Sequence, residues 1–219
     1  MTEIIRIDPK DPHPEDVSRA VEFLVDGQVI AYPTETIYGL GADVTSRKAV
    51  KRIYELKSRD YGLPISILVA DLKMLRDVVS DVPDSALQLM RKFWPGALTI
   101  LFSASSLIPK GLVTNTNKVG VRISSHPVAA AIVEKFGRPI TTTSANLSGF
   151  PPSLSVKHVQ KYFGEKLPCI VDSGECEPTR GSTVVDLADE TMRIVRDGAI
   201  PADDVIRCFQ GTATNGHRP

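Results

Sequence analysis

The chain of 219 residues is 42% apolar and 24% charged, which is typical of a folded globular protein and excludes a disordered or fibrous one. Its 26 basic and 26 acidic side chains leave no net charge, so no general positive field attracts a polyanion. Three cysteines without a CxxC pair argue against a disulfide framework or a zinc ribbon. No signal peptide or membrane-length apolar run is visible, so we expect a soluble cytoplasmic protein.

Helix and strand patterns alternate from the first residues onward. A short opening strand precedes a helix that begins at Pro14 and ends at Gly27, with apolar residues repeating along one helical face. The apolar residues 29–32 predict a buried strand. A second helix follows Ser46 and carries Lys57 in its last turn, with most of its basic residues facing outward.

The same alternation continues to the end of the chain. We predict strands at residues 65–70, 97–102, 119–123, 139–143, 169–172, 183–187 and 193–195, and helices at residues 71–78, 84–93, 127–137 and 155–163, with a last helix from Pro201. Residues 103–118 predict an irregular loop, and residues 211–219 a disordered tail. We therefore expect one α/β domain, residues 1–210, with a twisted, mixed parallel and antiparallel sheet covered by helices and an open cleft.

Two strand ends have the composition of a binding edge. The segment PTETIYGLG, residues 33–41, combines hydroxyls, a carboxylate and two glycines directly after a buried strand. Proline cannot extend a strand ladder, and glycine allows a backbone to approach a ligand closely. A second segment of this kind, TTTSANLSG, occupies residues 141–149. An ordinary polar turn and a helix cap are the structural alternatives for the two segments.

Basic residues lie at or near the ends of several other predicted helices and strands. Lys57 and Arg59 lie on either side of Ser58 at a helix end. There they either complement the helix dipole or bind phosphates as a cationic clamp. Arg122 lies in an apolar strand and needs an anionic partner or a solvent-facing position. Arg180 precedes a strand and Arg196 ends one. The sequence has no GxxxxGK[ST], GxSxG or HExxH motif and only scattered histidines, so no metal ligands are predicted.

Taken together, these segments resemble the YrdC-like family of L-threonylcarbamoyladenylate synthases. Beside PTETIYGLG, the similar segments are KxR at 57–59, FWPGxxT at 93–99, VGVRIxxHP at 119–127, TSANLSG at 143–149, STVVD at 182–186 and VRDG at 195–198. They stand in the family order and cover roughly residues 15–200. The likeness is to the single-domain bacterial form.

The resemblance implies an enzyme that joins L-threonine, bicarbonate and ATP into threonylcarbamoyl-AMP and pyrophosphate. Partner proteins downstream, the tRNA threonylcarbamoyl transferases, would use this product to modify the adenosine beside the anticodon of tRNA. The carbamate made from threonine would attack the α-phosphorus of ATP, so positioning and charge neutralisation would replace a protein nucleophile. The implied fold is the YrdC-like α/β fold with its open cleft.

The resemblance also implies a set of site residues. The threonine-binding residues are Thr36, Arg122, Thr142 and Ser182, with the Arg122 fork on the threonine carboxylate. The ATP-binding residues are Lys57, Arg59, Ser144, Asn146 and Arg196, of which Lys57 and Arg59 are the catalytic pair. Mg²⁺ is expected with ATP, held mainly by phosphate oxygens and water because no carboxylate cluster provides a cage.

Four positions depart from the family pattern. Asp60 stands where the family often has proline. Leu63 and Leu68 stand where an ATP-contacting asparagine and a threonine-contacting histidine occur in relatives, and Lys118 replaces a hydroxyl residue. Two other functions therefore stay open: a related carbamoyl-adenylating enzyme with another substrate, and a non-catalytic RNA-binding translation factor. Zero net charge and the lack of an aromatic stacking run argue against the second, and leave only a local contact with tRNA or other RNA.

Overall fold

The computed structural model describes residues 1–61, 63–113, 117–187 and 191–210. The helices are α1 (Pro14–Val25), α2 (Arg47–Lys57), α3 (Leu72–Val78), α4 (Asp84–Phe93), α5 (Pro127–Phe136), α6 (Val156–Phe163) and α7 (Ala202–Gln210), with a 3-10 helix at Gly164–Lys166. The strands are β1 (Glu3–Arg6), β2 (Ile30–Tyr32), β3 (Gly39–Gly41), β4 (Ile67–Leu68), β5 (Leu98–Ser103), β6 (Lys118–Arg122), β7 (Ile140–Thr141), β8 (Thr143–Ser144), β9 (Cys169–Asp172), β10 (Thr183–Asp186) and β11 (Arg193–Arg196). The tail predicted to be disordered, residues 211–219, lies outside the described ranges.

The strands form two sheets, where the sequence predicts one. A five-stranded sheet has the order β1-β9-β2-β3-β8, and a six-stranded sheet has the order β11-β10-β5-β6-β4-β7. Each sheet contains parallel and antiparallel pairs, so the prediction of a mixed α/β architecture is confirmed. The predicted number of sheets, one, differs from the two observed. The reason is that the strand predicted at residues 139–143 divides at Thr142 into β7 and β8, which pair in different sheets.

Local sequence signals explain where the helices begin. The side chain of Ser46 accepts a hydrogen bond from Ala49 N and caps α2, and Asp71 caps α3 by accepting from Met74 N at 2.7 Å. Proline occupies the first turn of α1 and α5, where its missing N–H costs no helical hydrogen bond. In the described part of the chain, no helix has both the length and the apolar composition needed to cross a bilayer.

Apolar residues cover both faces of the five-stranded sheet. Ala31 and Leu40 belong to the larger buried cluster, whereas Ile30 and Tyr32 belong to a smaller cluster with α1 and α5. Neighbouring residues of a strand point to opposite faces, so β2 contributes to both clusters. The connection between β5 and β6 has no helix or strand in its described residues 104–113 and 117, as predicted, although Ile108 and Leu112 are buried.

Close packing of β3 on Tyr32 leads to a test of the fold. A Cβ atom at Gly41 would lie 2.8 Å from Cε1 of Tyr32, whose ring is fully buried and whose hydroxyl donates to Thr141 O at 3.0 Å. We expect Gly41→Ala to lower the free energy of unfolding by about 1–3 kcal/mol, because the ring has no room to move. Urea unfolding measures this change.

Gly39 provides the matched control on the same strand. A Cβ atom there would meet Tyr32 Cζ at 3.5 Å, an ordinary van der Waals distance. Gly39→Ala should therefore change the free energy of unfolding by less than about 1 kcal/mol. Equal destabilisation by the two substitutions would contradict the packing described for Tyr32.

Candidate active site

A cavity of about 300 Å³ lies between the two strand ends that the sequence predicts as binding edges. Gly39 of the first edge pairs with Ser144 of the second, since β3 and β8 are antiparallel neighbours. Eight of the nine predicted site residues line this cavity, and they are Thr36, Arg59, Arg122, Thr142, Ser144, Asn146, Ser182 and Arg196. Strand ends from both sheets thus bring residues distant in sequence to one place.

Arg122 ends β6 and is held by residues of both edges. Its Nη1 donates to Glu35 Oε1 at 2.8 Å and to Thr36 Oγ1 at 3.3 Å, and its Nη2 donates to Thr142 Oγ1 at 3.3 Å. Glu35 also accepts a hydrogen bond from the Ser124 hydroxyl. The carboxylate offsets the charge of Arg122 and fixes its orientation, so part of the fork predicted for a ligand is occupied by Glu35.

Two donors of Arg122 remain for a ligand, the Nε–H and the second N–H of Nη2. The side chain is 5% exposed, and its Nε is buried without a hydrogen-bond partner among the residues that the structure describes. Buried N–H groups are normally paired, and an unpaired one costs free energy. An anion that enters the cavity and reaches this N–H would remove that cost.

Arg59 shows the same pattern at the end of α2. Ser58 has a left-handed backbone conformation with φ 48°, which ends the helix. Arg59 Nη2 donates to Pro64 O at 3.0 Å, and within the described ranges its Nε is buried and unpaired. A second arginine of the cavity wall therefore has a buried, unpaired N–H.

Lys57 is not part of that wall. Its side chain is almost fully buried, and Nζ donates to Asn146 O at 2.8 Å, to Asn146 Oδ1 at 3.2 Å and to Ser144 O. These acceptors belong to the second edge. Lys57 thus supports the backbone that carries Ser144 and Asn146. It is the one predicted site residue that does not line the cavity, and its contact with ATP stays a prediction.

The surroundings of Lys57 make folding stability depend on pH. Burial, together with the nearby charge of Arg59, lowers the pKa of Lys57 to about 7 from 10.5. Between these two pH values the unfolded chain binds the proton and the folded chain does not, so stability rises with pH. We compare the free energy of unfolding of the wild type with that of Lys57→Met. Between pH 7 and 9 this difference should rise in favour of the wild type by up to about 1.4 kcal/mol per pH unit.

Urea unfolding of both proteins at several pH values measures this dependence. The difference between them, not either value alone, isolates Lys57 from the other groups that titrate in this range. A difference that stays constant from pH 7 to 9 would show that the amine keeps its proton in the folded state.

Ser182 and Arg196 form another part of the wall. Ser182 Oγ lies 2.8 Å from Thr99 Oγ1 and accepts from Arg196 Nη2 at 2.9 Å, while Arg196 Nε and Nη2 donate to Ser182 O at 2.9 and 2.8 Å. Burial, with the charge of Arg122, lowers the pKa of Arg196 below its usual value. Gly198 passes so close that a Cβ would lie 2.4 Å from the carbonyl carbon of Ser182, which explains the glycine.

Several residues of the site were not predicted. Thr34, Ser66, Thr99 and Arg180 line the cavity, and Glu35 contacts Arg122. Sequence signals existed for four of these residues. The segments that resemble the family contain Thr34, Glu35 and Thr99, and Arg180 stands two residues before STVVD. Ser66 stands between apolar residues and carries no such signal.

The positions that depart from the family pattern lie outside the cavity wall. Leu68 is fully buried in the smaller apolar cluster, and Leu63 is exposed, with its carbonyl accepting a hydrogen bond from Tyr54. Neither residue lines the cavity. Lys118 pairs with Asp186 at 2.8 Å. The departures therefore do not change the described cavity wall.

Electrostatics favour an anion in this cavity. Among the described residues its wall contains four arginines, Arg59, Arg122, Arg180 and Arg196, and no aspartate or glutamate. Within the same ranges, no group of three or more histidine, cysteine, aspartate or glutamate side chains is arranged to hold a metal ion. The wall therefore suits phosphate and carboxylate ligands.

Comparison with known proteins agrees with this chemistry. A threonylcarbamoyl-AMP synthase of Pyrococcus abyssi is 37% identical over 186 residues, which are 85% of this chain and 55% of that protein. The synthase of Shigella boydii is 34% identical over 157 residues, 71% of this chain and 83% of that protein. The chain thus spans little more than half of the archaeal relative and most of the bacterial one.

Solved structures share the architecture. P. abyssi Sua5 complexed with L-threonine superposes with a TM-score of 0.90 at 35% identity, over 94% of this chain and 61% of that one. E. coli YciO superposes with a TM-score of 0.83 at 28% identity, over 91% of this chain and 97% of that one. A family model, Sua5/YciO/YrdC, described as telomere recombination, matches residues 22–198. Since that match covers most of the chain, the protein belongs to the Sua5/YciO/YrdC family.

Proposed function

We propose that this protein is an L-threonylcarbamoyladenylate synthase. The observation that carries the proposal is the single cavity lined by four arginines, two of which hold a buried Nε–H without a partner among the described residues. Such a cavity suits a substrate pair with one carboxylate and several phosphates. Relatives named threonylcarbamoyl-AMP synthase, and the Sua5 structure with L-threonine, support the same reaction.

Threonine binds beside Arg122 in this proposal. Its carboxylate accepts from the free Nε–H and from the remaining N–H of Nη2, while Glu35 holds the other side of the guanidinium. The hydroxyls of Thr36, Thr142 and Ser182 provide further hydrogen-bond partners for a small polar substrate. A site with several fixed polar groups rejects analogues that leave those groups unpaired.

ATP binds along the rest of the wall. Arg59 and Arg196 contact its phosphates, and Ser144 and Asn146 contact the nucleotide from the second edge. Lys57 acts as a positioning residue, because its Nζ donates to the backbone that carries Ser144 and Asn146. Asn146 Nδ2 also donates to Phe150 O, so this backbone is supported from two sides.

The reaction consists of two bond exchanges. The threonine amine combines with bicarbonate to form a carbamate and water. A carbamate oxygen then attacks the α-phosphorus of ATP, and the bond to the bridging oxygen breaks as pyrophosphate leaves. Arginines aimed at the phosphates stabilise the developing charge, and no protein nucleophile is needed.

Further parts of the proposal concern the setting of the enzyme. Residues 1–210 form one catalytic domain, the protein works in the cytoplasm, and downstream transferases receive the product for tRNA modification. Because the cavity wall has arginines and hydroxyls but no carboxylate, its residues do not suit a resident Mg²⁺. Mg²⁺ would enter bound to the ATP phosphates, and any RNA contact would be local.

The related alternative, another carbamoyl-adenylating activity, has less support than the synthase, because the relatives are named threonylcarbamoyl-AMP synthase. It rested on Leu63 and Leu68, and neither of them lines the cavity. Pyrophosphate release from ATP in the presence of threonine and bicarbonate tests the proposed activity, with mass spectrometry of the adenylate. Reactions without bicarbonate, or with carbamoyl phosphate and other amino acids, are the controls. A folded protein whose pyrophosphate release does not depend on threonine would contradict the proposal.

A further inference from the structure

Arg180 lines the cavity, and the reaction described above gives it no role. It lies in the segment between β9 and β10, where both of its neighbours are fixed. Thr179 Oγ1 donates to Thr36 O at 3.1 Å, and Ala199 N donates to Gly181 O at 2.8 Å. The backbone is therefore tied to the first edge and to the turn after β11, while the side chain of Arg180 between these ties extends into solvent.

The only ionic partner of Arg180 in the described residues is weakly engaged. Its Nη1 lies 3.9 Å from Asp197 Oδ2, and its side chain is 80% exposed. An exposed pair at this distance contributes little to stability, so the guanidinium can leave Asp197 at small cost. Asp197 itself stays in place, because its Oδ1 accepts from Ala202 N at 3.0 Å at the start of α7.

The other three arginines of the wall are already held by the protein. Arg122 pairs with Glu35, Arg59 donates to Pro64 O, and Arg196 donates to Ser182. Arg180, in contrast, makes no hydrogen bond within the described part of the chain. It is thus the one arginine of the wall whose head group is free to follow an incoming ligand.

We propose that Arg180 binds the β- and γ-phosphates of ATP and exchanges its contact with Asp197 for them. This inference depends on the proposed function and deepens it. In an in-line displacement the leaving pyrophosphate lies opposite the attacking carbamate. The carbamate forms beside the buried Arg122, and the leaving pyrophosphate needs a cation elsewhere on the wall. The 80% exposed Arg180 is the arginine of that wall that the protein does not already hold.

Two substitutions with opposite expected effects test the exchange. Arg180→Ala removes the contact and should raise the KM for ATP about 10-fold or more, as expected for a lost charge-assisted hydrogen bond. Asp197→Asn removes the competing charge but keeps an oxygen that accepts from Ala202 N, and should lower the KM for ATP a few-fold. In the double variant the benefit of Asp197→Asn should disappear. The KM for threonine should stay unchanged in all three.

Arg207→Ala is the matched control, since Arg207 is also an exposed arginine, 69% exposed and ion-paired with Asp204 on α7, and does not line the cavity. Thermal unfolding confirms that each variant is folded, and calorimetry of ATP binding gives a readout independent of turnover. If the wild type turns over and Arg180→Ala matches Arg207→Ala in ATP affinity, the inference alone fails. If the wild type neither binds ATP nor releases pyrophosphate, the proposed function fails together with it.

Discussion

Replacement of Arg122 by lysine should raise the KM for threonine by about 10²-fold or more. The planar guanidinium contacts Glu35, Thr36 and Thr142 at once and still has a buried N–H for the substrate. A lysine ammonium can keep Glu35 but cannot supply the remaining donors in a plane. Each hydrogen bond to a charged group contributes about 1.5–3 kcal/mol, so two lost contacts to the threonine carboxylate account for the expected change.

Lysine is the informative substitution at this position because it retains a cation beside Glu35. Arg122→Ala would leave that carboxylate largely buried without its partner, at a cost of about 3–5 kcal/mol in stability, and would mix folding with binding. Pyrophosphate release at varied threonine and saturating ATP gives the KM, and the KM for ATP should change less than about 3-fold, about 0.6 kcal/mol. A folded Arg122→Lys protein with an unchanged KM for threonine would show that the carboxylate binds elsewhere.

Substitution of Arg59 by alanine should lower kcat/KM for ATP by about 10²–10³-fold, the effect of removing one donor that stabilises developing charge. Arg59 lies on the cavity wall with an unpaired Nε–H among the described residues, so a phosphate oxygen is the expected acceptor. Arg59 also lowers the pKa of Lys57. The alanine variant should therefore shift the stability change linked to Lys57 toward higher pH.

Arg52→Ala is the control on α2, the helix that precedes Arg59. Arg52 is exposed, pairs with Glu55 at 3.2 Å and does not line the cavity. Its substitution should leave kcat/KM for ATP within about 2-fold of the wild type, because an exposed pair contributes little. Similar losses in Arg52→Ala and Arg59→Ala, or a loss in threonine binding alone, would contradict the assignment of Arg59 to phosphate.

Local signals in the sequence predicted much of this molecule. Ser46, Asp71 and the prolines at helix starts mark where helices begin, and a cap or proline acts within its own turn. The two binding edges are likewise local patterns of hydroxyls and glycines after apolar strands. Since they resemble family segments in the family order, the sequence predicts eight of the side chains that line the cavity.

Other features depend on contacts between distant segments, which no local pattern reports. Lys57 and Arg59 look equivalent in sequence, yet the left-handed turn at Ser58 separates a buried positioning residue from one on the cavity wall. The sequence does not reveal Glu35 as the partner of Arg122, because 86 residues lie between them. Glu35 precedes β3 of one sheet and Arg122 ends β6 of the other, so only the folded chain brings them together. The position of Ser66 beside Gly120 likewise depends on the pairing of β4 with β6.

The division of one strand at Thr142 has a consequence for dynamics. The amide of Thr142 donates to Ser66 O at 2.7 Å, and the amide of Thr141 donates to Ala42 O at 2.9 Å, so adjacent residues are anchored in opposite directions. Opening either sheet at this point would disturb the other, and hydrogen exchange at these two amides should require unfolding of the whole domain. The backbone of the second edge would therefore stay in place when a nucleotide binds, and the nucleotide would adopt the conformation that fits it.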